Sequence, residues 1–91
     1  MNKSDLIKEL AKRKDLSIED ATTIVNTFFD AIKEALKNNR RVEIRGFGSF
    51  KIKHYKGYIG RNPSTGEKVE VKPKKLPFFR VGKDFKEYLN S

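Results

Sequence analysis

Eight consecutive residues, Gly60-Arg61-Asn62-Pro63-Ser64-Thr65-Gly66-Glu67, bring a guanidinium, a primary amide and a rigid apolar ring into one turn. Gly60 and Gly66 permit backbone angles denied to other residues, while Pro63 fixes φ and removes a donor. Asn-Pro and Ser-Thr-Gly are turn chemistry. A simple hairpin needs only two such residues, whereas about seven stand here between two basic, alternating segments. Arginine, asparagine and an exposed proline are residue types that grip nucleic acid in a groove. The plain alternative for the octapeptide alone is a mobile surface loop.

Other chemistry is sparse. The single histidine, His54, has no serine nucleophile, paired carboxylate or metal-ligand spacing beside it, and reads as a structural or phosphate-contacting residue. No G-x-x-x-x-G-K-S/T is present, and Gly46-Phe47-Gly48 is too short and too aromatic for a phosphate loop. The chain has no cysteine, hence no disulfide, thiolate metal site or cysteine nucleophile. No catalytic residues, metal site or cofactor are expected, and an enzyme is excluded. Phe47, Phe50, Phe78 and Phe79 could form a base-stacking platform, but their alternating neighbours favour packing beneath a sheet.

Charge supplies the second signal. The net charge is +9, and it is segregated. Residues 1–36 hold six Lys/Arg against seven Asp/Glu, while residues 37–91 hold fifteen against five. Solubility does not require such segregation, and a field confined to one part of a molecule is the footprint of a polyanion binder. Ninety-one residues make one domain, and with 36% apolar and 36% charged residues its core is thin. Seven phenylalanines in so small a chain suggest a core completed across a subunit interface. No run approaches the ~18 apolar residues of a membrane span, and Asp5 and Lys8-Glu9 interrupt any signal-peptide stretch. The chain reads as soluble and cytoplasmic, with no membrane partner.

The elements that must position these groups follow from periodicity. Residues 3–14 read as an amphipathic helix with Leu6, Ile7, Leu10 and Ala11 on one face, Asn2 as N-cap and Asp5 in the first turn. Asp15-Leu16 breaks it. Ser17-Ile18-Glu19-Asp20 has the form of a capping box and opens a longer helix. Its apolar residues Ile18, Ala21, Val25, Phe28, Ile32 and Ala35 are widened by Ile24, Phe29 and Leu36, a stripe too broad for one short helix to cover. Asn38-Asn39 ends it. From Arg41 the period changes to two, through Val42 and Ile44, a tight Gly46-Phe47-Gly48 turn, and Phe50, Ile52 and His54. Residues 53–75 carry seven Lys/Arg against two acids and few large apolar side chains, so they project from the body as a ribbon that is mobile until something orders it. Leu76-Pro77-Phe78-Phe79 returns, and Phe85, Tyr88 and Leu89 mark a terminal helix. The order is helix, helix, three strands with a long protrusion, helix.

Three blocks, Gly46-Phe47-Gly48-Ser49-Phe50, Gly60-Arg61-Asn62-Pro63-Ser64-Thr65-Gly66-Glu67 and Phe79-Arg80-Val81-Gly82-Lys83, resemble the signatures of the bacterial HU/IHF family of histone-like DNA-bending proteins. They stand in the same order and spacing, and the resemblance covers essentially the whole chain. It implies an α+β, IHF-like DNA-binding fold: an intertwined dimer with a helical base, a β-saddle and two protruding β-ribbon arms. Residues 1–91 are then a single domain, with a helical dimerisation part at 1–39, a β-sheet at 40–82 carrying the arm at about 53–75, and a C-terminal helix at 83–91. The implied function is that of a nucleoid-associated architectural protein in the bacterial cytoplasm, binding double-stranded DNA in the minor groove and bending or compacting it.

HU and IHF are themselves standing examples of minor-groove binding with inserted apolar wedges, so this mode belongs to the resemblance and not to the spacing. It makes Pro63 the wedge, with Arg61 and Asn62 entering the groove beside it. Lys53, Lys56, Lys68, Lys72, Lys74 and Lys75 line the arm against phosphates, and Lys3, Lys83 and Lys86 hold flanking DNA. Val25, Phe28, Phe29, Ile32, Phe47, Phe50 and Phe79 fill the dimer core. Tyr58 stands where HU chains usually carry Arg, Val81 where many carry Pro, and Ile18 where several carry Lys. Arg41-Val42-Glu43-Ile44-Arg45-Gly46 is closer to the β subunit of IHF, in which residues matching Glu43 and Arg45 help read a preferred site. The expected partner is therefore duplex DNA, bound by a homodimer, or by a heterodimer with a related subunit. A basic RNA-binding protein is the rival.

Overall fold

A computed structural model describes residues 1–91. Helix α1 spans Lys3–Lys14 and α2 spans Ile18–Lys37. Strands β1 (Val42–Ile44), β2 (Gly48–Tyr55), β3 (Tyr58–Arg61), β4 (Lys68–Val71) and β5 (Lys74–Val81) follow, and α3 (Lys83–Leu89) ends the chain. No helix is long and apolar enough to cross a membrane.

Local chemistry accounts for the helix boundaries. Asn2 caps α1 through a reciprocal box: its Oδ1 accepts the Asp5 N–H at 2.9 Å, and the Asp5 carboxylate accepts the Asn2 N–H at 3.0 Å. Asp15 stops α1 in the left-handed region, at φ 51°. At Ser17 only half of the expected box forms, the hydroxyl accepting the Asp20 N–H at 3.0 Å. Asn38 caps the C-terminus of α2, and Asn39 reverses the chain at φ 59°.

The sheet has the order β1-β2-β5, antiparallel throughout, with Val42 opposite Phe50 and Phe50 opposite Phe79. That register puts Val42, Ile44, Phe50, Ile52, Pro77 and Phe79 on an inner face toward α2. Glu43, Ser49, Lys51, Lys53, Phe78 and Arg80 fall on the outer one. Gly48 allows the strands to meet, since a Cβ there would lie 2.5 Å from the Arg80 carbonyl oxygen. Phe47, Phe50, Phe79 and Phe85 form the aromatic cluster beneath, with centroids 4.8–5.4 Å apart and Phe47 stacked on Phe85. Phe78 departs from the expected packing, because its odd step from Phe79 turns it to the outer face.

The core of the single chain is incomplete. Ala11, Ala21 and Val25 are its only buried apolar side chains, while Phe28 is 50% and Phe47 42% exposed. The chain exposes 8092 Å², whereas a compact monomer of its 10.6 kDa mass exposes roughly 5,500 Å². Its radius of gyration is 19.2 Å against about 12 Å for a compact chain of this length.

The protrusion is not one continuous ribbon. β2 and β5 pair out to Tyr55 and Lys74, pairing lapses around Gly57 and Pro73, and β3 and β4 form a separate two-stranded sheet. Proline has no amide to give a ladder, and a Cβ on Gly57 would lie 2.7 Å from the Val71 carbonyl oxygen. The three expected strands are therefore five.

Candidate nucleic-acid interface

The tip of the protrusion is held by its own backbone. The Asn62 N–H donates to the Glu67 carbonyl at 2.8 Å, and the Gly66 N–H to the Asn62 carbonyl at 2.7 Å. The Asn62 Oδ1 accepts the Ser64 N–H at 2.9 Å, an Asx-turn, and the Thr65 hydroxyl accepts the Glu67 N–H at 3.3 Å. Six residues thus join β3 to β4, with Pro63 exposed at the outer bend. Gly66 uses its freedom at φ 71°, but Gly60 does not: it lies within β3 opposite Val69. Asn62 shapes the turn with its side-chain oxygen and keeps its amide nitrogen without a partner.

Tyr58, Asn62, Pro63, Val69 and Val71 share a shallow groove of about 360 Å³ on one side of this ribbon, reached also by Arg61. Tyr58 lies along Gly60, in ordinary van der Waals reach of where a side chain there would begin. Arg61 and Lys68 are cross-strand partners, so two cations stand side by side behind the tip. Like charges placed there raise the energy of the free ribbon and favour an anionic partner.

Closer to the body, Lys53 and Lys74 fall on the outer face with Lys51 and Arg80. Lys56 and Lys72 lie in the lapse in pairing, beside Gly57 and Pro73. Lys75 is the exception among the predicted phosphate ligands. It alternates to the inner face beside His54, and its Nζ donates to the Lys37 carbonyl at 3.2 Å, closing the end of α2. Periodicity would have found Lys51, which repeats the Lys53 face at a step of two, whereas Arg80 joins that face through its pairing with Ser49.

At the other end of the sheet, Arg41, Glu43, Arg45, Arg80 and Lys83 line a cleft of about 360 Å³. Four cations face one acid there, and Glu43 lies 3.9 Å from Arg41. Lys83 opens α3, Lys86 follows one turn on, and Lys3 opens α1 in the helical part. Only three ion pairs occur in the chain, Arg13–Glu9, Lys33–Asp30 and Arg41–Glu43. The cations of residues 45–86 are left unneutralised.

The predicted core residues divide between two places. Val25, Phe28, Phe29 and Ile32 lie along α2, with Phe28 and Phe29 edge to face at 5.4 Å. Phe47, Phe50 and Phe79 meet in the aromatic cluster. Between α2 and β1 runs an apolar groove of about 450 Å³, lined by Phe28, Ala31, Ile32, Ala35, Val42 and Ile44 and open to solvent. Nowhere do three or more His, Asp or Glu side chains converge as metal ligands.

Comparison with known proteins agrees with this arrangement. Residues 1–90 match the family model described as bacterial DNA-binding protein. The chain is 42% identical over 87 residues to the DNA-binding protein HU 1 of Bacillus subtilis, covering 96% of this chain and 95% of that one. It is 48% identical over 88 residues to the integration host factor subunit beta of Paraburkholderia phytofirmans, covering 96% and 82%. The fold superposes on the Anabaena HU–DNA cocrystal structure with a TM-score of 0.85 at 34% identity, over 98% of this chain and 97% of that one.

Proposed function

This chain belongs to the bacterial DNA-binding protein family of HU and integration host factor, whose members are architectural proteins and not enzymes, and from that premise we propose that it dimerises, grips double-stranded DNA in the minor groove and bends it. The observation that carries the reading is the proline-tipped ribbon, standing off the body with its cations unpaired.

Dimerisation completes what one chain leaves open. The excess of exposed surface, the half-exposed Phe28 and Phe47, and the apolar groove between α2 and β1 all call for a second copy. Residues 1–39 are then the dimerisation part, and the two ribbons project from one saddle.

Pro63 is suited to act as the wedge. Its ring is rigid, loses little entropy on insertion and brings no donor that would be buried unpaired. The closed turn beneath it holds the ring in place before DNA arrives. Unstacking a base step costs a few kcal/mol, a cost known for this mode of binding and offset by phosphate contacts along the bent duplex. Arg61 and the free amide of Asn62 enter the groove beside the wedge. Lys53, Lys56, Lys68, Lys72 and Lys74 meet phosphates along the arm, and Lys83 and Lys86 meet them at the body. Lys75 is reserved for closing α2. With about 6–10 phosphates neutralised per dimer, affinity falls by roughly 10³–10⁵ between 50 and 200 mM salt. Such a protein works in the bacterial nucleoid.

End-labelled duplexes measured by energy transfer test the proposal. Wild type brings the labelled ends together, and Pro63→Ala binds while bending less. Unchanged bending in the variant removes the wedge, and no bending by wild type removes the function.

A second reading has its own support. Arg45 and Glu43 both line the cleft, and the identity to an integration host factor beta subunit is 48%. A site-preferring subunit of a heterodimer would use this pair to favour one sequence. A stable dimer of the purified chain with flat affinity across unrelated duplexes decides for the homodimer.

A further inference from the structure

One phenylalanine stands on the cationic face of the sheet, outside the core cluster. Phe78 lies opposite Lys51 across the β2–β5 pair and is turned away from the cluster of Phe47, Phe50, Phe79 and Phe85. The Lys53 Nζ sits 3.8 Å from its ring centroid and the Lys51 Nζ 5.8 Å. Neither lysine belongs to any of the three ion pairs.

A ring holds a cation differently from a carboxylate. The negative face of its quadrupole attracts the ammonium, but the ring carries no net charge and no lone pair. A lysine paired with glutamate is neutralised and has to exchange one anion for another before it can meet a phosphate. A lysine resting on a ring keeps its charge, keeps N–H donors free, and has already given up much of its rotamer freedom.

From this geometry we infer that Phe78 is a positioning residue. It holds Lys53, and more loosely Lys51, as ordered and unneutralised cations above the outer face, ready for the phosphates of a duplex. The inference rests on the DNA-binding reading above and adds Lys51 and Phe78 to it. A polyphosphate backbone is the occupant that fits, because Lys51, Lys53, Lys74 and Arg80 share this face with Glu43 as its one acid.

Three substitutions on the full chain test it. Phe78→Tyr keeps the π face, Phe78→Leu keeps apolar bulk without a ring, and Phe78→Met serves the same purpose should leucine fail to fold. In the free protein, ring current shifts the Lys53 Hε resonances upfield in wild type and Phe78→Tyr, and they return to ordinary lysine positions in the ringless variants. Duplex affinity falls about 3- to 10-fold in Phe78→Leu or Phe78→Met, because the lysines are then ordered only on binding. The salt slope is unchanged, since no charge is removed. Phe78→Tyr retains the wild-type affinity. Ordinary lysine shifts in wild type overturn the geometry, and full affinity in a ringless variant overturns the role. Failure of the underlying DNA-binding reading has a different signature: wild type without salt-dependent duplex affinity, its Lys53 resonances still upfield.

Discussion

The two faces of the three-stranded sheet are built from alternate residues of the same strands, yet they do opposite work. Phe50, Ile52, Pro77 and Phe79 look inward to an aromatic cluster that a single chain cannot finish. Lys51, Lys53, Phe78 and Arg80, each one step away, look outward and leave three cations without an acid. One face lacks an apolar neighbour and the other lacks an anion, and each deficiency names its partner: a second copy within, a polyanion without. Because the side-chain period is two, shifting either strand by one residue would exchange the faces and abolish both activities together.

The largest expected effect comes from neighbouring phenylalanines. Phe79→Ala, with the cluster covered by a second copy, destabilises the folded dimer by about 3–5 kcal/mol in chemical denaturation, as a core truncation does. Phe78→Ala costs less than about 1 kcal/mol there. Equal losses would erase the distinction between the faces.

The adjacent lysines sharpen the same contrast at smaller scale. Lys74→Met flattens the dependence of log affinity on log salt by about 0.9 per copy and leaves thermal stability alone. Lys75→Met leaves that slope alone and costs about 0.3–1 kcal/mol of stability, because its ammonium serves the C-terminus of α2. A salt titration beside a melting curve reads both, and reversed results would assign the two side chains to the wrong faces.

The smallest effect lies at the tip. Tyr58→Arg adds a cation beside the Pro63 groove and steepens the salt slope by up to about 0.9 per copy, with bending by energy transfer unchanged. No change in slope would place Tyr58 away from the phosphates.

Much of this is legible in the sequence. The α1 and α2 boundaries follow from Asn2, Asp15, Ser17 and Asn38-Asn39, because caps and left-handed residues are local chemistry. The apolar-poor ribbon and its turn were legible from composition. The assignment of Phe78 and Lys75 to faces was not. Leu76-Pro77-Phe78-Phe79 is apolar at every step, and Lys74-Lys75 basic at both, so neither run shows alternation until Phe50 is set opposite Phe79. The lapse at Gly57 and Pro73 was hidden for a related reason: both segments of the ribbon are basic and alternating, and only the backbone ladder reveals that they are separate. The stacking of Phe85 on Phe47 joins residues far apart in sequence and has no local sign.

The lapse in the ribbon has a consequence in time. An arm of one rigid piece would have to seat its tip and its shaft on DNA in a single event, and leave in a single event. An arm divided at Gly57 and Pro73 lets the saddle settle first and the tip follow, and on departure lets the tip withdraw while the saddle stays. On the proposed reading, a kink made at the tip would then have a lifetime of its own, shorter than that of the complex. A duplex bent in the proposed way could then straighten and bend again beneath one bound protein.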